Sequence, residues 1–191
     1  GDANELVNEI TSDLLEINKK IGGVHYLAFV DPNSTEVHWK TIENLVKLER
    51  KGIFGDFIIL LQARLIARTI GNIRSGRDKT ASHKLTLFFG SENWRTLLDS
   101  PPGTIEKGIL DLYIKRLRRL KRNALIEVIS IELLRDIHYY LIYITRETGG
   151  GSPYLTTVRW LKDFVERVDK KKVVDTAIRK TLGMPVLTDY L

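Results

Sequence analysis

Two β-rich runs in the C-terminal half, residues 124–131 (ALIEVISI) and 137–145 (IHYYLIYIT), stand only five residues apart. A parallel crossover needs a dozen residues or more, so these segments must pair antiparallel as a hairpin. Upstream, the hydrophobic period switches back and forth. Residues 24–30 form a short apolar, β-branched run ending at Asp31-Pro32-Asn33, where proline cannot continue a ladder. Residues 57–61 are almost continuously apolar, which suits a strand buried on both faces, or a buried helix segment. Between these runs the apolar residues recur at helical spacing. Alternation of this kind predicts an α/β sheet with helices on both faces.

Asp2-Ala3-Asn4-Glu5 reads as a capping box opening a helix whose apolar residues are Leu6, Val7, Ile10, Leu14, Ile17 and Ile21. Gly22-Gly23 stops it. Asn33 with Glu36 offers a second capping box, ahead of a helix bearing Val37, Ile42, Leu45, Val46 and Leu48. A helix is predicted over 63–70, ended by Gly71, and the polar, basic stretch 72–84 reads as a loop. A short helix over 91–98 and a longer one carrying Leu110, Tyr113, Ile114, Leu117 and Leu120 precede the hairpin. Residues 149–153 (GGGSP) read as a flexible connector to a helical tail over 155–182, dividing the chain into 1–148 and 149–191.

Composition narrows the functional classes. No apolar run is long enough to span a bilayer, and no signal-peptide pattern opens the chain. The absence of cysteine excludes disulfides and thiolate metal sites and fits a cytoplasmic protein. His25, His38, His83 and His138 lack metal-ligand spacing. A net charge of +6 favours acidic partners such as DNA or RNA, although 24 acidic residues are interspersed among 30 basic ones. The densest basic run is Lys115, Arg116, Arg118, Arg119, Lys121 and Arg122. Two readings of it stand open: cations complementing a helix dipole, or a ridge that contacts nucleic-acid phosphates, with loop 74–84 adding to it. Trp39 and Trp94 read as packing residues, and Lys170, Lys171 and Lys172 as a solvated helix junction.

Asp31-Pro32-Asn33 is the focal motif. In open α/β sheets, ligands bind beyond the carboxyl ends of the strands, and an acid held by proline at a strand end is presented there. Asp31 can accept hydrogen bonds from an amine or hydroxyl, and Asn33 can donate and accept. Simple turn chemistry, with Asn33 as a helix cap, accounts for the same residues. A metal-dependent nuclease using Asp31 and Asp56 is a further possibility, without the acidic-plus-lysine signature that would support it.

The blocks LAFVDPNSTEVHWKTIENL, GDFIILLQARLIAR and LFFGSENWRTLL, continuing through YYLIYITR, resemble the three-Cys-motif partner family across most of residues 1–148. The family features correspond to Asp31-Pro32, Trp39, Arg64 or Arg68, and Phe89-Gly90-Ser91-Glu92-Asn93-Trp94. The resemblance implies a Rossmann-like fold similar to class I methyltransferases, which use S-adenosylmethionine. It implies the fourth to seventh strands of that fold, three parallel and one antiparallel in the hairpin, with a helical C-terminal tail. The chain opens on Gly1 and holds one methionine, Met184, which fits either a trimmed boundary or an absent upstream region carrying the glycine-rich cofactor turn.

On this mapping Asp2 and Ala3 lie beside the adenine, while Asp31, Pro32 and Asn33 orient the methyl acceptor. Arg64, Arg68, Lys115, Arg118, Arg119 and Arg122 would contact a nucleic-acid substrate. Ser34 stands where amino-methyltransferases place an aromatic over a flipped base, and the second proline is absent, which argues against adenine or cytosine N-methylation. The expected function is a methyltransferase-like domain represented by its substrate-side half. The competing expectation is a non-catalytic nucleic-acid- or protein-binding module on the same fold. A sheet lacking its first strands should expose an edge, covered by an upstream segment or by a homo-oligomer.

Overall fold

The computed structural model describes residues 2–78, 80–121, 123–134, 137–147, 153–168, 176–179 and 181–183. Among the described residues, four strands form one open sheet: β1 (His25–Val30), β2 (Phe54–Leu61), β3 (Ala124–Leu134) and β4 (Ile137–Arg146), in the order β1-β2-β4-β3. β1 and β2 are parallel, whereas β4 runs antiparallel to both β2 and β3. Three strands therefore point one way, and the returning arm of the hairpin inserts between the second and the third. The α/β class and the hairpin are as the sequence predicts.

The sheet is accompanied by helices α1 (Ala3–Ile21), α2 (Trp39–Lys47), α3 (Ala63–Arg74), α4 (Ala81–Phe89), α5 (Ile105–Leu120) and α6 (Pro153–Arg167). Short 3-10 segments occupy Leu48–Lys51 and Glu92–Asp99. Among the described residues, no helix is long and apolar enough to cross a membrane.

The strand register separates two faces. One carries Phe57, Ile59 and Leu61 of β2 beside Ile144 and Ile142 of β4, and α2, α3, α4 and α5 bury these residues in the main core. α1 joins this side, its Leu14 and Leu15 packing with Tyr26 against a small cluster of Val24, Leu48 and Ile53. On the other face, among the described residues, only α6 covers β3, with Leu155 buried and Arg159 bonded to Glu127 at 2.7 Å. There Leu27 and Phe29 of β1 are 61% and 65% exposed. Helices on both faces were expected; among the described residues, the second layer reaches only the hairpin end.

Several local expectations need correction. β2 is not buried on both faces: it alternates buried and half-buried residues, and it starts at Phe54 because Gly55 fits under the Tyr26 ring. A Cβ at position 55 would lie 2.1 Å from that ring. Asn33 caps no helix; α2 starts at Trp39, with His38 at the N-cap. α3 continues through Gly71 to Arg74 because Ile66, Ile70 and Ile73 keep one apolar stripe on the core.

The predicted loop 72–84 shrinks to the residues between α3 and α4. Asp78 accepts from the Thr80 and Ala81 backbone N–H groups at 2.9 and 3.1 Å, opening α4. Ala81, Leu85, Phe88 and Phe89 then bury its inner side. The helix predicted over 91–98 is a 3-10 segment over Glu92–Asp99, with Ser91 extended ahead of it. In α1 only Val7 of the anticipated stripe is buried, and Leu6, Ile10, Ile17 and Ile21 face outward. The predicted connector glycines 149–151 and Lys170, Lys171 and Lys172 lie outside the described residues.

The Phe89-to-Trp94 block is a packing knot. Gly90 closes α4 at φ +62°, where a Cβ would come within 2.6 Å of Trp39. Trp94 is fully buried and donates its indole N–H to Thr86 Oγ1 at 3.0 Å, and that hydroxyl bonds Glu92 at 2.9 Å. Trp39 is buried as well, as both tryptophans were read.

Candidate functional site: an acidic cleft at the strand ends

Parallel strands bring their carboxyl ends to one rim, and there the chain forms an open cleft of about 760 Å³. Asp2, Ala3 and Asn4 line it from the start of α1, residues 31–38 from the loop after β1, and Asp78 and Lys84 from the α4 side. Thus the five residues predicted for cofactor and acceptor, Asp2, Ala3, Asp31, Pro32 and Asn33, share one cavity. Pro32 is buried and anchors the loop, while Asp31 and Asn33 are exposed. Ser34 adopts φ +70°, a left-handed conformation that is unfavourable for a non-glycine residue.

Asn4 holds this loop in place, and the sequence reading missed it. Its amide donates to Asp2 Oδ1 at 2.9 Å and to the Glu36 carbonyl at 2.8 Å. Its Oδ1 accepts from the His38 backbone N–H and the Thr41 hydroxyl, both at 2.8 Å. Two donors and two acceptor positions are all the side chain has, and all are used. Asp2 Oδ1 additionally caps the Asn4 backbone N–H at 2.8 Å. An asparagine in a capping context gave a signal, but its long-range partners did not.

The lining is acidic. Asp2, Asp31, Glu36 and Asp78 face it with Lys84 and His38. Hydrogen bonds from the Thr80 hydroxyl and the Ala81 N–H hold the Asp78 carboxyl below its usual range. Such a cavity favours a cationic or hydrogen-bond-donating ligand over a bare phosphate. His38, read as able to reach this rim, does line it.

A second polar cluster sits at the same rim, which the sequence did not reveal. Ser130 of β3 is level, through Tyr140 of β4, with Leu61, the last residue of β2. Its Oγ lies 3.0 Å from His138 Nε2, His138 Nδ1 lies 3.0 Å from Glu106 Oε2, and Arg64 Nε donates to Glu106 Oε1 at 3.1 Å. Burial alone would raise the Glu106 carboxyl, but the bonds from His138 and Arg64 outweigh it and hold it low. An ionised Glu106 only accepts, so His138 donates to it through Nδ1. The cluster ties α3, α5 and the hairpin together.

Other predicted residues are dispersed. Arg64 stands at this rim but is committed to Glu106, and Arg68 is exposed on α3. Lys115, Arg118 and Arg119 are exposed on the second half of α5, which leads into the start of β3 and so lies toward the opposite rim. α5 is about 24 Å long, so the basic run and the acidic cleft form separate surfaces. Arg122 lies outside the described residues. Lys121 is not part of an exposed ridge: it is buried, paired with Glu49, and donates to the Gly55 carbonyl at 3.0 Å.

Asp56, the second acid of the nuclease possibility, pairs with Leu27, four residues before Asp31. That is about 13 Å along the strand, and the shared register puts it on the face away from the main core. The two acids do not form one site. Among the described residues, no group of three or more potential metal ligands occurs. No family model, curated protein or solved structure matches the chain.

Proposed function

We propose that this domain is the substrate-side half of an S-adenosylmethionine-dependent methyltransferase-like unit, with the acidic cleft as the place where adenosine and methyl acceptor meet. The observation that carries this reading is the meeting of Asp2 and Asp31-Pro32-Asn33 in one cavity at the carboxyl ends of parallel strands. The Asp2 carboxylate would accept from the adenine amino group. Asp31 and Asn33 would orient the acceptor, and the cleft's negative charge suits a sulfonium cation. Three co-directional strands and one antiparallel hairpin strand are the set that the family resemblance implies, which supports the reading.

S-adenosylmethionine supplies an electrophilic methyl group when bound. The residues named here bind and align, holding donor and acceptor in a near-attack geometry. A glycine-rich turn for the methionine end would come from a strand added beyond β1. A right-handed crossover through α1, on the same side as α2, puts a preceding parallel strand on that edge. That strand can belong to another segment of the protein or to a second copy.

Calorimetry tests the proposal. The 191-residue chain alone should bind S-adenosylmethionine weakly, with Kd in about the millimolar range, and Asp31→Ala should weaken it further. Tight binding, or binding indifferent to Asp31→Ala, contradicts it. The exposed cations of α5 favour a second reading, a non-catalytic nucleic-acid-binding module. It predicts salt-sensitive DNA or RNA binding that survives Asp31→Ala and is lost with Arg118 and Arg119.

A further inference from the structure

A small recess lies where the end of α4 and the following 3-10 segment meet the second half of α5, separate from the acidic cleft. Its volume is about 120 Å³, and Ser91, Asn93, Trp94, Lys115, Arg116 and Arg119 contribute to its lining. Among the described residues, no carboxylate lines it. Two of its lining side chains carry a buried polar atom with no hydrogen-bond partner, Ser91 Oγ and Arg116 Nε. Leaving a buried donor unpaired is costly, more so for a charged group, so such atoms call for an acceptor.

The rest of the Arg116 side chain is fixed. Its guanidinium stacks 4.6 Å above the Trp39 ring, and Nη2 reaches the Gly90 carbonyl at 3.4 Å. Burial disfavours the Arg116 charge, Glu43 offsets part of that, and neighbouring Arg119 adds like-charge repulsion. An anion in the recess would relieve both burial and repulsion. A planar guanidinium held in one orientation, beside a hydroxyl and two further cations, has the donor set that recognises a tetrahedral oxyanion.

We propose that this recess is a binding site for a single phosphate group, either inorganic phosphate or a terminal phosphomonoester. Arg116 Nε and Ser91 Oγ donate to its oxygens, and Lys115 and Arg119 balance its second charge. The size of the recess selects one tetrahedral group over a continuous backbone, and the three cations select a dianion over a diester. The basic residues of α5 then act as a built pocket rather than a diffuse ridge. The site is independent of the methyl-transfer reading.

The test is an NMR titration of the full chain, following the Arg116 Nε–H and Trp94 indole N–H resonances. Three probes are added separately: inorganic phosphate, a 5′-phosphorylated dinucleotide and the same dinucleotide without the phosphate. The first two should give saturable shifts and the third none. Equal affinity for both phosphates identifies the free ion as ligand, and tighter binding of the dinucleotide identifies a nucleic-acid end. Ser91→Ala and Arg116→Lys should each weaken phosphate binding by about tenfold or more. Arg118→Ala, which removes a charge beside but outside the recess, should change it less than about twofold. Should Arg116→Lys fail to fold, Ser91→Ala decides alone. No saturable shift, binding of the unphosphorylated probe at the same resonances, or equal loss in Arg118→Ala overturns the proposal.

Discussion

The two faces of the sheet are built from alternate residues of the same strands, yet they have different fates. On the helix-covered face, Phe57, Ile59 and Leu61 are essentially inaccessible, packed beneath α2, α3, α4 and α5. On the opposite face, Leu27 and Phe29 are open to solvent, and burial improves only toward the hairpin, where α6 brings Leu155 against β3. Among the described residues, no strand pairs with the outer edge of β1. The first face therefore holds the main core, whereas among the described residues the second is left open at its β1 end. The candidate cleft stands where they meet, at the end of the edge strand.

This contrast can be broken most forcefully at Trp94. Trp94→Ala removes a fully buried ring and leaves Thr86 without its indole donor, so it should cost about 3–5 kcal/mol in urea denaturation. A loss below about 1 kcal/mol would mean that the covered face is not the core. Asn4→Ala should cost about 2 kcal/mol, because it frees the His38 N–H and the Thr41 hydroxyl together. It should also speed hydrogen exchange at the His38 amide while leaving α5 protected.

A smaller effect is expected at Glu106, whose folded carboxyl is held low. Its contribution is fully present above the ordinary glutamate range, near pH 4.3, and is lost as pH falls through the lowered folded value. The wild type should therefore lose up to about 1 kcal/mol more than Glu106→Gln on acidification across that window. Parallel acid titrations of the two proteins would oppose this. Smallest of all, Leu27→Ser with Phe29→Ser should change monomer stability by no more than about 0.5 kcal/mol. That double variant should nevertheless abolish any self-association seen by light scattering. A large loss of stability would show that this face is already packed.

How far the sequence anticipated this architecture depended on the range of the deciding interaction. The hairpin followed from a separation too short for a crossover, and the end of β1 from Pro32. α4 was missed because polar His83, Lys84 and Thr86 separate its buried residues, and because Gly71 looked like a stop. That glycine stays helical since Ile73 still has a core to reach. The loop after β1 does not cap a helix at Asn33, because Asn4, some thirty residues upstream, holds the Glu36 carbonyl and the His38 N–H and the helix starts only at Trp39. For the site, Asp31 stands out from local rules as an acid at a strand end, whereas Asp2 reads locally only as a helix cap and enters the site through the family resemblance. The Ser130–His138–Glu106–Arg64 cluster was not legible, since three separate regions of the chain supply it. The separation of the basic helix end from the cleft likewise depended on which rim each element reaches.

The most direct test of the central claim is to map which backbone amides respond when adenosine and S-adenosylmethionine are titrated into the isotopically labelled chain. Saturable shifts confined to residues 2–4 and 31–38, diminished by Asp2→Ala, are the predicted result. Shifts that cluster on the α5 basic residues instead, or no response at the β1 end at millimolar ligand, would contradict it.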